Sequence, residues 1–268
     1  MSTIYIVEPG GQQATYAEER AWMLYNQEGI SRKALYWKEG MADWQSISAL
    51  FDNQLKDATT LTRFLKVMLW LSMGVAALGV LTEAASLIPG NAASTGLDGW
   101  RLLAAISALL TLLAFIATSV PFLMWIHRAN RNARALGAQD MRFTPGWSVG
   151  WFFVPLLSLW KPYQAMKEIW QASQDPHTWQ EQEVGPIVGR WWTLWLLSNF
   201  LGQMTLWLSL GAESSQALVS STVLGLLADV ANVALCVVAV RLVTAIYLKQ
   251  GEWVHSAAAA RAAGSDGE

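Results

Sequence analysis

Residues 144–162 read TPGWSVGWFFVPLLSLWKP, and their placement decides how often the chain crosses a membrane. The fourteen residues from Trp147 to Trp160 carry no charge, and they include Trp147, Trp151, Trp160 and an internal Pro155. As a straight helix they would rise about 21 Å, short of the roughly 30 Å hydrocarbon core. A hairpin of this length through hydrocarbon would leave backbone groups without partners. Two placements remain: a helix lying in the inner interface, or a shallow re-entrant element packed against other helices. Trp147, Trp151 and Trp160 with Lys161 suit the interface, where an apolar ring and a polar N–H are both satisfied. Pro155 would kink a continuous helix, at about 3 kcal/mol if uncompensated. Beyond it, Tyr163, Met166, Ile169 and Trp170 fall at helical spacing, so 145–172 reads as one interfacial segment with an amphipathic continuation.

Outward from this segment lie four apolar runs, 64–88 and 100–126 before it, 188–210 and 217–248 after it. Each reaches the roughly 20 residues a spanning helix needs. Small residues four apart (Ser72/Ala76, Ala104/Ala108, Ser221/Gly225) would let helix backbones approach closely. The chain is 53% hydrophobic and 14% charged, against about 25% charged in soluble domains. Its net charge of −2 weighs against a nucleic-acid partner. One cysteine, Cys236, excludes both a disulfide framework and a cysteine zinc site. The opening twenty residues have no basic stretch followed by an apolar one and do not read as a signal peptide.

Lys and Arg set the orientation. Residues 1–66 hold Arg20, Arg32, Lys33, Lys38, Lys56, Arg63 and Lys66. The long connection holds Arg128, Arg131, Arg134, Arg142, Lys161, Lys167 and Arg190, whereas PGNAASTGLDG and GAESSQ hold none. Positive loops stay inside, so both termini and the long connection are expected in the cytoplasm of a multi-pass inner-membrane protein.

Residues 1–52 read as a small α+β domain, followed by a linker at 53–63 and the membrane domain at 64–250, with a flexible cytoplasmic tail at 251–268. IYIV and ALYW suit strands. Thr15 and Glu18 are spaced as a capping box for the helix between them, and Gly29 as its stop.

Two stretches carry family resemblances. ALYWKEGMADWQSI is similar to the C-terminal part of the bacterial GYF-type domain, through Tyr36, Trp37, Gly40, Met41 and Trp44. At its opening the chain departs from that family, with Ile4-Tyr5 where Trp-Tyr is usual and Ala14-Thr15 where Gly-Pro precedes the aromatic Tyr16. The resemblance implies a surface for proline-rich peptides around Tyr5, Tyr16, Tyr36, Trp37 and Trp44. From about 100 to 250, WIHRANRNARALGAQDMRFTPGWSVGWFFVPLLSLWKPYQAMKEIWQAS resembles the bacterial membrane family called domain of unknown function 4328. That family implies a fold and no activity.

Arg128, Arg131 and Arg134 recur every three residues and would form a stripe for topology or for lipid phosphates. Asn130 and Asn132 of the same stretch suit bonds to the following loop. Within the spans, Asn199 and Gln203 share a face, as do Asp229 and Asn232. Asn199 and Asp229 both lie about 16–18 Å deep, so antiparallel packing would bring them together, either as hydrogen-bonded glue or in a proton or substrate role. Glu83 and Arg101 fall near the outer surface. No catalytic constellation, metal-ligand spacing or cofactor motif is present, with His127, His177 and His255 scattered. The expectation is an all-α four-helix transmembrane bundle with an interfacial or re-entrant cytoplasmic segment and a GYF-like domain. It would be a non-enzymatic anchor without cofactor or metal, with a small transporter or channel around Asn199 and Asp229 as the alternative.

Overall fold

A computed structural model describes residues 3–26, 29–31, 33–41, 43–47, 50, 56–88, 99–211 and 214–265. Two compact units divide the chain, Met1–Lys56 and Asp57–Glu268.

In the first unit, strands β1 (Thr3–Val7), β2 (Gln13–Ala17), β3 (Leu35–Trp37) and β4 (Gln45–Ser46) form an antiparallel sheet in the order β2-β1-β3-β4. Helix α1 (Glu18–Asn26) follows β2 directly. Alternation along β1 sends Ile4 and Ile6 inward, where they meet Ala21, Tyr25, Ile30, Ala34, Tyr36 and Ile47. Thr15 lies inside β2 and caps nothing, so the expected capping box does not form; Glu18 instead pairs with Lys38 at 2.9 Å. Gly29 does stop the helix, its N–H reaching back to Leu24 O at 2.8 Å.

The second unit holds α2 (Thr59–Ser86), α3 (Gly99–Ala135), α4 (Pro145–Gly150), α5 (Lys161–Gln174), α6 (Pro186–Leu210) and α7 (Ser215–Ser265). Among the described residues, three stretches are long and apolar enough to cross a membrane: Thr59–Ser86, Ala105–Ala135 and Gln216–Ser256. The principal packings make a row, α3 on α2, α2 on α7, α7 on α6. Ser72, Ala76, Ser221 and Gly225 all lie on buried faces, as the small-residue spacing anticipated. Ala108 faces outward, and the Ala104 side chain lies outside the described residues.

Several boundaries move. α2 begins at Thr59, inside the expected linker, with Ala58 as its N-cap and Asp57, one residue earlier, accepting at Oδ1 from Thr59 N at 2.8 Å. The bonds from Thr59 hold the Asp57 carboxyl below its ordinary range. α3 runs through the whole arginine stripe to Ala135, and α7 remains helical to Ser265, so the expected tail at 251 begins as helix.

The hydrophobic core sits at the basic end of the helices, where α3 ends and α6 begins. Trp125, Ile126, Met166, Ile169, Trp191, Leu242 and Ile246 close it almost completely. Along their apolar lengths the helices present large side chains outward, among them Leu109, Leu112, Phe115 and Ile116 of α3. That is the inverse of a water-soluble protein and fits lipid as the surrounding solvent.

The 144–162 stretch is neither one helix nor a simple kinked one. Thr144 caps α4, its Oγ1 accepting from Trp147 N at 3.3 Å, with Pro145 in the first turn. Two short 3-10 turns follow, Trp151–Phe153 and Leu157–Leu159, separated around Pro155. Leu156 stands at φ 65, ψ −52, the centre of a tight γ-turn closed by Leu157 N to Pro155 O at 2.7 Å. The amphipathic continuation forms as α5, but its apolar face is buried in protein: Met166, Ile169 and Trp170 belong to the core. Of the segment expected to be interfacial at 145–172, the part before Lys161 is the one that presents large apolar side chains outward.

Candidate functional site

On α2, Gly79 and Glu83 are four residues apart; on α7, Gly225 and Asp229 are four apart. α2 and α7 pack together, and each glycine seats the opposite helix's carboxyl. A Cβ on Gly79 would stand 2.8 Å from Asp229 Cγ, and one on Gly225 2.8 Å from Glu83 Cδ. The absence of side chains at these two positions admits two carboxyl groups between apolar helices. Glu83 Oε2 is buried and has no hydrogen-bond partner among the described residues. An intramembrane carboxyl is costly wherever it stands, and here two share one interface.

The expected meeting of Asn199 with Asp229 does not form. Asn199 and Gln203 face outward on α6, and Asn199 Nδ2 bonds back to Trp195 O at 2.7 Å. Asn232, half-buried, lines a cavity with Ser72 and Cys236. Glu83 is the partner that sequence reasoning assigned to the surface beside Arg101, whose side chain lies outside the described residues. The signal was legible: an apolar run with Gly-x-x-x-Glu and another with Gly-x-x-x-Asp present matching seats.

At the basic end, a polar network ties the loop after α3 to the helices. Asn130 Nδ2 donates to Phe143 O at 2.9 Å and to Ser148 Oγ at 2.9 Å. Arg134 Nη2 donates to Met141 O and Phe143 O, at 2.8 and 3.0 Å, and its Nε to Asn130 Oδ1. Glu168 accepts from Phe143 N at 3.2 Å, and burial pushes its carboxyl above the usual range. Gln250, far along α7, donates to Ala129 O and Ser173 Oγ. The arginine stripe thus divides. Arg134 turns inward, Arg128 donates to Asp57 O at 2.9 Å, and Arg131 is half-buried.

The Trp-rich surface stands beside this network. Trp147 and Trp151 lie 4.7 Å apart, and Lys161 Nζ sits over the Phe143 and Trp151 rings. Phe153 and Leu156 are 71% and 73% exposed, with Trp147, Leu159 and Trp160 exposed beside them. Phe152 turns the other way, edge-on to Trp195, and Trp192 Nε1 donates to Leu159 O at 3.2 Å.

On the first unit, Tyr5 and Trp37 face each other across β1 and β3 with ring centroids 5.6 Å apart. Tyr5 is 43% exposed, and Trp37 Nε1 is fixed to Met41 O at 2.8 Å. Tyr36 points into the core and Tyr16 packs half-buried against it, so neither offers a ring face. Trp44 is exposed.

Among the described residues no group of three His, Cys, Asp or Glu could hold a metal. Residues 91–247 match the family described as Domain of unknown function (DUF4328). No curated protein and no solved structure matches the chain.

Proposed function

The chain belongs to the DUF4328 family, and on that premise we propose that it is a non-enzymatic inner-membrane anchor displaying a GYF-like peptide-binding module in the bacterial cytoplasm. In this reading α6 is the fourth span. Its 25 residues reach about 37 Å, and its outward side chains include Leu197, Phe200, Leu206 and Leu210. It is not among the three stretches long and apolar enough to cross, and it carries four tryptophans and two amides, Asn199 and Gln203. The Lys/Arg distribution puts the basic end, residues 1–56 and the far end of α7 inside.

One observation carries the module reading: the first unit closes its own core and yet leaves the Tyr5–Trp37 pair on its surface. Two rigid rings held at a fixed angle form the kind of groove that receives a proline-rich segment. With residues 1–56 in solution, a decaproline peptide should shift the Tyr5 and Trp37 amides saturably. Tyr5→Ala should weaken that binding by about tenfold, the loss of an aromatic contact worth roughly 1–1.5 kcal/mol. An unresponsive module at millimolar peptide would leave it a structural domain only.

A second reading, a proton-linked conduit, is favoured by the paired seats of Glu83 and Asp229. Asp229→Asn keeps the shape and removes the titratable proton. An anchor would tolerate the change; a conduit would lose transport.

A further inference from the structure

A half-open cavity of about 100 Å³ lies among α2, α3, α6 and α7, at the level of Asn232 on α7. Its walls are mostly apolar and none of its lining side chains carries a charge. Phe122 and Trp191, 5.8 Å apart, flank it towards the basic end. The hydroxyls on its walls are largely engaged: Ser72 Oγ and Thr118 Oγ1 lie 2.6 Å apart, and Ser119 Oγ donates to Phe115 O at 2.7 Å. Asn232 differs, since its amide makes no hydrogen bond to another described residue. In a water-filled loop that would mean little. In an apolar span an amide without a partner costs several kcal/mol, so a partner is to be expected from elsewhere.

Water is a poor candidate. The space would hold about three waters at roughly 30 Å³ each, and each needs two to four polar partners. Asn232, Thr111 and the engaged hydroxyls of Ser72, Thr118 and Ser119 fall short of the roughly six to twelve bonds that three waters would need. A charged solute has no counter-group among the lining residues. What fits is a molecule that dissolves in the bilayer, is largely apolar, and carries one group able to bond an amide. The aromatic flank adds a surface on which a planar ring packs; at about 100 Å³ the space is smaller than the roughly 150 Å³ that encloses a whole benzene ring, so a bound ring would lie partly in the cavity's open side. We propose that this cavity is a lateral binding site for a neutral, membrane-soluble ring compound bearing a hydroxyl or carbonyl group, which Asn232 recognises. The site is independent of the peptide module and of the Glu83–Asp229 seats, and requires only that these helices stand in lipid.

The test compares two probes that differ by one hydroxyl, 4-methylphenol and toluene, on the full chain in lipid nanodiscs. The readout is the Asn232 side-chain amide resonance, assigned by its absence in Asn232→Leu. At matched concentrations in the membrane, 4-methylphenol should shift this resonance saturably, with an apparent affinity about fivefold above that of toluene, the factor one net hydrogen bond supplies. Binding of the two probes, read from the neighbouring methyl resonances of Leu235, should become equal in Asn232→Leu. Equal affinities on the unsubstituted protein, or shifts that rise without saturating, would overturn the proposal. That comparison needs no variant, so it stands even if Asn232→Leu fails to fold.

Discussion

Gly79→Leu and Gly225→Leu should each separate α2 from α7 and abolish recovery of monodisperse protein from detergent. The side chain would enter space that an opposing carboxyl occupies, with its Cβ alone 2.8 Å from Asp229 Cγ or Glu83 Cδ. Overpacking on this scale costs about 1–3 kcal/mol, and a leucine adds three carbons beyond the Cβ. The displaced carboxyl would also be forced against hydrocarbon. The smaller change Gly79→Ala should be tolerated once Asp229→Ala removes the colliding group, and Gly225→Ala once Glu83→Ala does. Thermal midpoints of the single and double variants check this. The doubles should be more stable than the sums of the singles, because the paired residues share one contact. Full additivity, or a leucine variant as stable as the unsubstituted protein, would show that the two helices do not pack in this register.

Asn130→Leu should unfold the basic end. Asn130 is fully buried and ties Phe143 O, Ser148 and Arg134 together. Leucine is of similar size but removes all three bonds: Arg134 Nε loses its acceptor, at about 1–3 kcal/mol, while Phe143 O keeps Arg134 Nη2 and Ser148 Oγ keeps Thr144 O, so each of those losses costs about 1 kcal/mol. The combined loss is expected to exceed 3 kcal/mol, by the upper half of that range. Hydrogen exchange should localise it: amides of 141–150 and of α5 should lose protection first, while the apolar half of α2 remains protected. Uniform loss along the chain would mean that the network does not organise this end.

Length and apolarity made the long helices legible. The boundaries were less so, because helical propensity carries α3 past its last membrane residue and α7 past residue 250 without a break in the backbone pattern. The Trp-rich stretch, read as too short to cross, folds as one short helix and two 3-10 turns. Its interruption at Leu156 was not readable, because a positive φ at a leucine has no local sequence cue. The α5 face was assigned to lipid although it packs on protein; an amphipathic period tells that one side is apolar but not what covers it. The pairing of Asp229 was misplaced for a related reason. Depth counting locates residues along the membrane normal, but Asn199 and Asp229 at equal depth point to different neighbours. The glycine opposite each carboxyl carried the lateral information. In the first unit, aromatic and β-branched composition identified β1 and β3, whereas β4, with only Gln45 and Ser46, has no pattern to read.

The central claim is a four-span protein with its basic end and first unit in the cytoplasm. Its most direct test uses the chain's lone cysteine to advantage: with Cys236→Ala as background, single cysteines are placed at Ser31, Ser214 and Ser256 and exposed to a membrane-impermeant maleimide on intact bacteria. Ser214→Cys, between α6 and α7, should be labelled from outside, which requires α6 to cross. Ser31→Cys and Ser256→Cys should react only after the membrane is opened. Protection of Ser214→Cys in intact cells would remove the fourth span, and labelling of Ser31→Cys there would put the first unit on the wrong side of the membrane.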